Sequence, residues 1–226
     1  MIPPVGEDVS QSWDVEYRAG RYLDDEPVGF VHDILACAAG IDLPKARGLY
    51  IGCGNGRNYL PLVAGGLDLI GLDVSGVALE QLAARAPERA PDLVHGHLSS
   101  LPSDAAYSIV VGIQVFQHGR ERDAHAHIAE ARRRVLPGGL FCLRVNAVGT
   151  DIAHSHRVVE RNSDGGFTVE YLRGPKQGLA IHFFAQAELT RLLSPFDARL
   201  PLRLHATQRQ PPETGRWLQW EGIWRR

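Results

Sequence analysis

Lysine is almost missing from this chain: Lys45 and Lys176 stand alone among 24 basic residues, set against 26 acidic ones, for a net charge of −2. A protein that grips nucleic acid through its phosphates needs a basic face, so this balance argues against a nucleic-acid partner. Cysteine is scarce as well. Cys37, Cys53 and Cys142 lie in apolar surroundings without metal-ligand spacing, which predicts reduced thiols in a cytoplasmic protein and no metal site. No apolar run reaches the roughly 20 residues of a membrane helix, and the first residues lack a charged-then-apolar export pattern. The expectation is a soluble chain without a membrane partner, monomeric or homodimeric. Its 226 residues suit one domain, long enough to bury a substantial core. Neither a repeat nor a linker divides them.

What is abundant is glycine at the start of an alternating pattern. Gly48-Leu49-Tyr50-Ile51 reads as a buried strand, Gly52-Cys53-Gly54-Asn55-Gly56 as a turn, and the residues after it as a helix. A second strand then ends on Asp73, before Val74-Ser75. Open α/β sheets hold nucleosides this way: glycines let the backbone approach the ligand and the carboxylate takes the ribose hydroxyls. A dinucleotide fingerprint counted from Gly52 requires glycine at 57, where Arg57 stands. Strands are expected near 47–51, 68–73, 92–95, 107–114 and 139–146, with helices near 56–64, 75–86 and 121–135, the alternation of a parallel sheet. Upstream, residues 1–9 are expected to be loose, with Ser12 capping a helix that carries Trp13 and Tyr17 on one face, and a second helix after Pro27. Downstream, 148–166 reads as a polar loop. Phe167–Leu172 and Leu179–Phe184 alternate about Gly174-Pro175 as a β-hairpin. A helix near 185–193 and strands near 196–207 and 215–225 close the chain.

The G-x-G-x-G spacing at Gly52, Gly54 and Gly56 resembles motif I of the class I S-adenosylmethionine (SAM)-dependent methyltransferases. Gly52-Cys53-Gly54-Asn55-Gly56-Arg57-Asn58 is similar to the G-C-G-x-G-R-N variant of tellurite-resistance-type and other small-molecule enzymes of that family. Further matches follow in order: Asp73, the loop Gly96-His97-Leu98-Ser99-Ser100-Leu101-Pro102, the strand and exit from Ile109 to His118, and the turn Leu136-Pro137-Gly138-Gly139. The chain departs from the family pattern at Tyr50, where an acid often holds the methionine amino group, and at His97, where an acid often stands near adenine. The resemblance implies a Rossmann-like three-layer α/β sandwich. Its sheet would have seven mostly parallel strands with an antiparallel last strand, behind an N-terminal helical cap over 1–40. A SAM-binding core would span 46–146 and a substrate-side insertion with the β-hairpin 148–184, all in a single domain.

It also implies the cofactor and its contacts. Gly52, Cys53 and Gly54 would line SAM by main chain; Asp73 and Val74 would meet the ribose, and His97 and Leu98 the adenine. Gln114 would lie where the fourth strand opens onto the cofactor. Asn58 either meets the cofactor carboxylate or satisfies helix N–H groups. Tyr17 and Arg21, four apart on the first helix, are candidates for the sulfonium and carboxylate, or dock the helix. His118, beyond the fourth strand, is the first candidate for a general base, and His182 the second. Arg144, Asn146 and Tyr171 are candidates for substrate contact. His125 and His127, at i and i+2 on a helix, point apart and are poor partners for one metal; Arg132-Arg133-Arg134 reads as a solvated helix end. The expected reaction is in-line transfer of a methyl group to an oxygen or nitrogen of a small molecule, natural-product intermediates included. A thiol, halide or metalloid-oxyanion acceptor, or a SAM-binding protein without transferase activity, is the alternative.

Overall fold

In a computed structural model, residues 7–174, 176–209 and 214–226 are described. The expected looseness of residues 1–6 and Pro175 of the expected turn lie outside them. Helices α1 (Glu7–Arg18) and α2 (Phe30–Ala39) precede β1 (Gly48–Ile51), α3 (Tyr59–Ala64), β2 (Leu69–Asp73), α4 (Gly76–Arg85), β3 (Leu93–His95), β4 (Tyr107–Ile113), α5 (Glu121–Arg133) and β5 (Val135–Asn146). Then come β6 (His156–Arg161), β7 (Phe167–Tyr171), β8 (Ala180–Phe183), α6 (Gln186–Leu193), β9 (Asp197–Gln208) and β10 (Arg216–Arg225). The main sheet has seven strands in the order β3-β2-β1-β4-β5-β10-β9, with β10 antiparallel to both its neighbours. The strand order reverses between β1 and β4. That is the point at which open α/β sheets leave a crevice beyond their C-terminal strand ends.

Residues two apart on a strand share a face, and each central strand feeds both sides of the sheet. Leu49, Ile51, Val110, Phe141, Leu143 and Val145 pack beneath α5 and α6 with Ile128 and Leu189. Tyr50, Ile109, Val111, Leu140 and Cys142 pack beneath α2, α3 and α4 with Ile34, Leu62 and Leu82. Each fully buried side chain of this size contributes about 1.5–3 kcal/mol relative to exposure. The near-continuous apolar runs of β4 and β5 follow from having helices on both faces.

Two local expectations are corrected. Ser12 lies inside α1 rather than at its N-terminus. A serine reads as a cap only when the residues before it are not helical, and here they are. The expected hairpin is there as β7 and β8, but part of the expected 148–166 loop is a strand, β6, which makes the insertion a three-stranded antiparallel sheet, β6-β7-β8. Its added strand, His-Arg-Val-Val-Glu-Arg, is a mostly solvated edge, so little apolar alternation marks it. This small sheet has its own core of Val169, Tyr171, Ile181 and Phe183. It is joined to the main body at the exits of β4 and β5: the His182 N–H donates to the Gln117 carbonyl (2.8 Å), Gly119 to Ala180 (2.9 Å) and Phe184 to Asn146 (2.9 Å). No described helix is long and apolar enough to cross a membrane.

Candidate active site

Beyond the ends of β1, β2 and β4 lies a cavity with about 1120 Å³ of empty space, its open mouth included. One wall is main chain. After β1 the backbone turns left-handed at Gly52 (φ +71°) and Gly54 (φ +54°), a conformation that L side chains rarely adopt. A Cβ on Gly54 would lie 2.4 Å from the Tyr17 hydroxyl, so glycine is required there twice over. The loop is tied to β2: the Gly52 N–H donates to the Leu72 carbonyl (2.7 Å), and Gly54 N–H to Asp73 Oδ2 (2.7 Å).

Asp73 is buried on this wall, with Oδ1 accepting from Ser75 N–H at 2.8 Å. Burial raises its carboxyl pKa above the usual value, against the bonds from Ser75, Gly54 and Val74 N–H groups that favour the charged form. Val74, Gly96, His97 and Leu98 continue the wall. Burial, and then His95, lowers the pKa of His97. The Leu98 turn is held from behind by Arg134. That side chain, expected as solvated, is 2% exposed. It donates to the Leu98 carbonyl (3.1 Å), the Pro102 carbonyl (2.8 Å) and Glu130 (2.8 Å).

Tyr50, in the place of the family's acid, is buried and packs edge-on to Tyr59. Burial raises its pKa, so the hydroxyl stays neutral, and it hydrogen-bonds Asn58. Asn58 Oδ1 accepts from the Val28 N–H at 3.0 Å. Asn58 thus faces the cavity and holds the entry to α2. Arg57 lines the same end, donating to the Glu26 carbonyl (2.6 Å) and pairing with Asp25 (3.3 Å).

The opposite wall is side chain. Helix α1 lies over the cavity and presents Val9, Trp13 and Tyr17; Tyr22 follows it. The helix is pinned at its side by Ser75, whose hydroxyl donates to Asp14 Oδ1 (2.6 Å), and by Gln81, which donates to the Tyr17 carbonyl (2.9 Å). From the insertion, Lys176 reaches across with Nζ 4.8 Å from the Trp13 ring centre and 3.8 Å from Glu16. Trp13 meets His118 edge-on at 5.4 Å. His118 borders the cavity. Burial, and then the Lys176 charge, pushes its pKa down to about 3, so the imidazole is neutral at physiological pH. Among non-glycine described residues, Tyr22 (φ +61°) and Gln114 (φ +60°) are left-handed, and both line the cavity. Such strain of about 1–3 kcal/mol gathers at functional sites.

The cavity therefore brings together Tyr17, Gly52, Cys53, Gly54, Asn58, Asp73, Val74, His97, Leu98, Gln114 and His118. It does not bring in five other candidates. Arg21 turns outward to Glu16 (3.2 Å) and over the Tyr22 ring. His182 is buried between Thr168 (2.9 Å) and Glu188 (2.8 Å). Arg144 is buried against Glu221 (3.0 Å), Asn146 accepts from the Trp217 indole (2.8 Å), and Tyr171 packs in the small sheet's core. Arg21 and His182 are claimed by nearby carboxylates, Arg144 and Asn146 by partners on β10, and Tyr171 by the small sheet's own core. Trp13 and Tyr22, read as helix-docking or pocket-lining aromatics, join the cavity residues, and missed by sequence reasoning were Arg57, Phe116 and His127. Arg57 alone had a local signal, its place directly after Gly56.

Residues 49–139 match a methyltransferase-domain family. No curated protein matches the chain in sequence. Solved structures share its fold at low identity. The CcbJ methyltransferase from Streptomyces caelestis has 16% identity and a TM-score of 0.64, over 97% of this chain and 99% of that one. The Burkholderia thailandensis 1,6-didemethyltoxoflavin-N1-methyltransferase, solved with bound 1,6-didemethyltoxoflavin and S-adenosylhomocysteine, has 16% identity and a TM-score of 0.63, over 96% of this chain and 87% of that one. TehB from Haemophilus influenzae has 15% identity and a TM-score of 0.62, over 93% and 66%. The match runs from β1 into β5 and takes in the glycine loop, Asp73 and the Leu98 turn gathered on one wall of the cavity, so this part of the chain is similar to a methyltransferase domain.

Proposed function

We propose that this enzyme methylates a nitrogen or oxygen atom of a small, partly apolar molecule, such as a natural-product intermediate, bound between α1 and the β4 exit. The observation that carries this reading is the covered acceptor end of the cavity, where Trp13, Val115, Phe116 and His118 meet under a pinned helix. A macromolecular acceptor would need an open approach. Relatives named for small acceptors agree with it.

Asp73 receives the ribose hydroxyls on its free lone pairs, the Leu98 turn takes the adenine, and the amides of the Gly52–Gly54 loop approach the amino-acid portion. Arg57 supplies positive charge for the cofactor carboxylate, while the neutral Tyr50 hydroxyl and Asn58 stand where the family often uses an acid. Tyr17 and Trp13 offer ring faces to the sulfonium, worth about 0.5–2 kcal/mol when desolvated. Methyl transfer is an in-line displacement with a neutral leaving group. Alignment and exclusion of water do most of the work, up to about 7–11 kcal/mol in favourable cases. Held neutral, His118 accepts a hydrogen bond from the acceptor and orients its lone pair. Its weak basicity suits a nucleophile that attacks before it sheds its proton.

The test is radiolabelled methyl transfer from SAM to a panel of amines, N-heterocycles, phenols and alcohols, with thiols, halides and metalloid oxyanions as competing classes. Product on the nitrogen or oxygen acceptors supports the reading. Product confined to the competing classes refutes the acceptor assignment, and tight SAM binding without transfer to any class points to a non-catalytic binding protein.

A further inference from the structure

Away from the cavity, α5, β8 and α6 bring His125, His182 and Glu188 together. The Glu188 side chain is fully buried and His182 nearly so, while His125 reaches the surface. Both imidazoles place Nε2 on the same Glu188 oxygen, 2.5 Å away for His125 and 2.8 Å for His182. All three donor atoms lie within 4.8 Å of one another. Outer partners fix them: Thr168 Oγ1 is 2.9 Å from His182 Nδ1, and the Ala185 N–H donates to the second Glu188 oxygen at 3.1 Å. One turn before His125, Glu121 carries an oxygen 3.9 Å from His125 Nε2. That oxygen accepts from Asn162 Nδ2 at 3.2 Å.

Packing alone does not call for this group, because burying a carboxylate with two imidazoles costs several kcal/mol that an apolar trio would avoid. The donor set, two imidazole nitrogens and a carboxylate oxygen from three separate elements with a hydroxyl behind one ring, is the one zinc takes. We infer that His125 Nε2, His182 Nε2 and Glu188 Oε1 form a zinc-type divalent-cation site, with Glu121 as the fourth donor on the solvent side. Metal–nitrogen distances of about 2.0–2.1 Å require the three donors to part slightly from their present hydrogen-bond separations. On binding, the His182 proton resides on Nδ1 and is donated to Thr168 Oγ1, leaving the Nε2 lone pair for the ion. The site departs from the expectation of no metal, and it does not pair His125 with His127, which faces the cavity. What sequence spacing does not reveal is the partnership of His125 with residues 57 and 63 positions away. The ion would join the insertion sheet to two core helices. Because β8 bonds to the Gln117–Gly119 segment, it would also steady the wall that carries His118.

The full-length protein is stripped with chelator, mixed with Zn²⁺, desalted and assayed for metal by mass spectrometry. About one zinc per chain is expected to remain. At zinc 100-fold above Kd the melting temperature should rise by roughly 5–10 °C. Co²⁺ should give the intense visible bands of a low-coordinate nitrogen–oxygen site. The informative variant is His125→Gln at the partly exposed position. It keeps an N–H donor toward Glu188, so a purely hydrogen-bonded cluster tolerates it, yet it removes a strong ligand. It should fold with a near-normal melting temperature without zinc and lose both zinc retention and the zinc-induced rise. The double variant His154→Gln/His156→Gln, at a second close pair of histidines where His156 Nδ1 lies 2.8 Å from the His154 carbonyl, should retain zinc. The inference is overturned if the wild-type chain keeps no zinc and shows no thermal shift. It is equally overturned if His125→Gln retains as much zinc as wild type, or if the His154/His156 variant loses it.

Discussion

Around Gly52, Gly54 and Asp73 the cavity wall is main chain held by one buried carboxylate; around Trp13 and His118 it is side chains drawn from α1 and the β4 exit, with Lys176 of the β7–β8 connection set against Trp13. The first wall is built by residues close in sequence, and its geometry leaves little freedom. Each left-handed glycine is dictated by the turn, and Asp73 accepts from the backbone N–H groups of Gly54 and Ser75, among others, which set the loop's shape. The second wall depends on contacts between segments more than 100 residues apart, such as Lys176 against Trp13. A wall of the first kind suits a cofactor that never changes. A wall of the second kind can be rebuilt for a new acceptor without touching the first.

The contrast is broken most severely at Gly54. Alanine there faces the Tyr17 hydroxyl at 2.4 Å and a φ of +54°, so either the loop or α1 must move. With about 1–3 kcal/mol of backbone strain added to the displaced tyrosine, Gly54→Ala should lower SAM affinity by roughly 100-fold in calorimetric titration. A variant binding within threefold of wild type would mean that loop and helix yield freely. Asp73→Ala comes next. If Asp73 takes the ribose hydroxyls as a charged acceptor, its loss costs about 1.5–3 kcal/mol, or roughly 10- to 150-fold in Kd. Unchanged affinity in a folded variant would remove it from the cofactor site.

The side-chain wall should respond differently. His118→Gln should leave the Kd for SAM within twofold and cut kcat by about tenfold, the worth of one hydrogen bond to the reacting group. Loss of SAM affinity with intact kcat would place His118 on the cofactor side and erase the distinction between the walls.

The same division explains what could be read in the sequence. The strand–turn–helix from Gly48 to Asn58 and the acid at 73 were legible because local spacing dictates them: glycine fits the turn, and a strand end delivers the carboxylate. The alternation of β1 to β5 was legible for the same reason. His182 and Tyr171 lie outside the cavity because their tertiary neighbours claim them, Glu188 and Thr168 for one and the small sheet's core for the other. β6 was missed because its solvated edge carries almost no apolar alternation. Arg134 looked like one of three solvated arginines, yet the loop it secures, Leu98–Pro102, lies more than 30 positions upstream.

The mildest effect separates the walls by acid. With its pKa near 3 in the fold and about 6.5 when unfolded, His118 binds fewer protons in the native state. Stability from this source is therefore complete above pH 6.5 and is lost as pH falls toward 3. Glu188 acts lower. Burial opposes its charge, but bonds from His125 and His182 outweigh that and hold its pKa at about 2, below the usual 4.5. Its contribution is lost only as pH drops below 4.5. Between pH 6.5 and 4.5 His118 gives a slope of this sign, with His97 and His127 shifted in the same direction, while the raised pKa of Asp73 works against it. One such group changes stability by at most about 1.4 kcal/mol per pH unit, and by less where the ring borders a water-filled cavity. Urea midpoints at pH 7, 5.5 and 4.5 should fall in the wild type and fall less steeply in His118→Gln. If the two curves run parallel, His118 titrates normally, and burial is not what keeps its imidazole neutral.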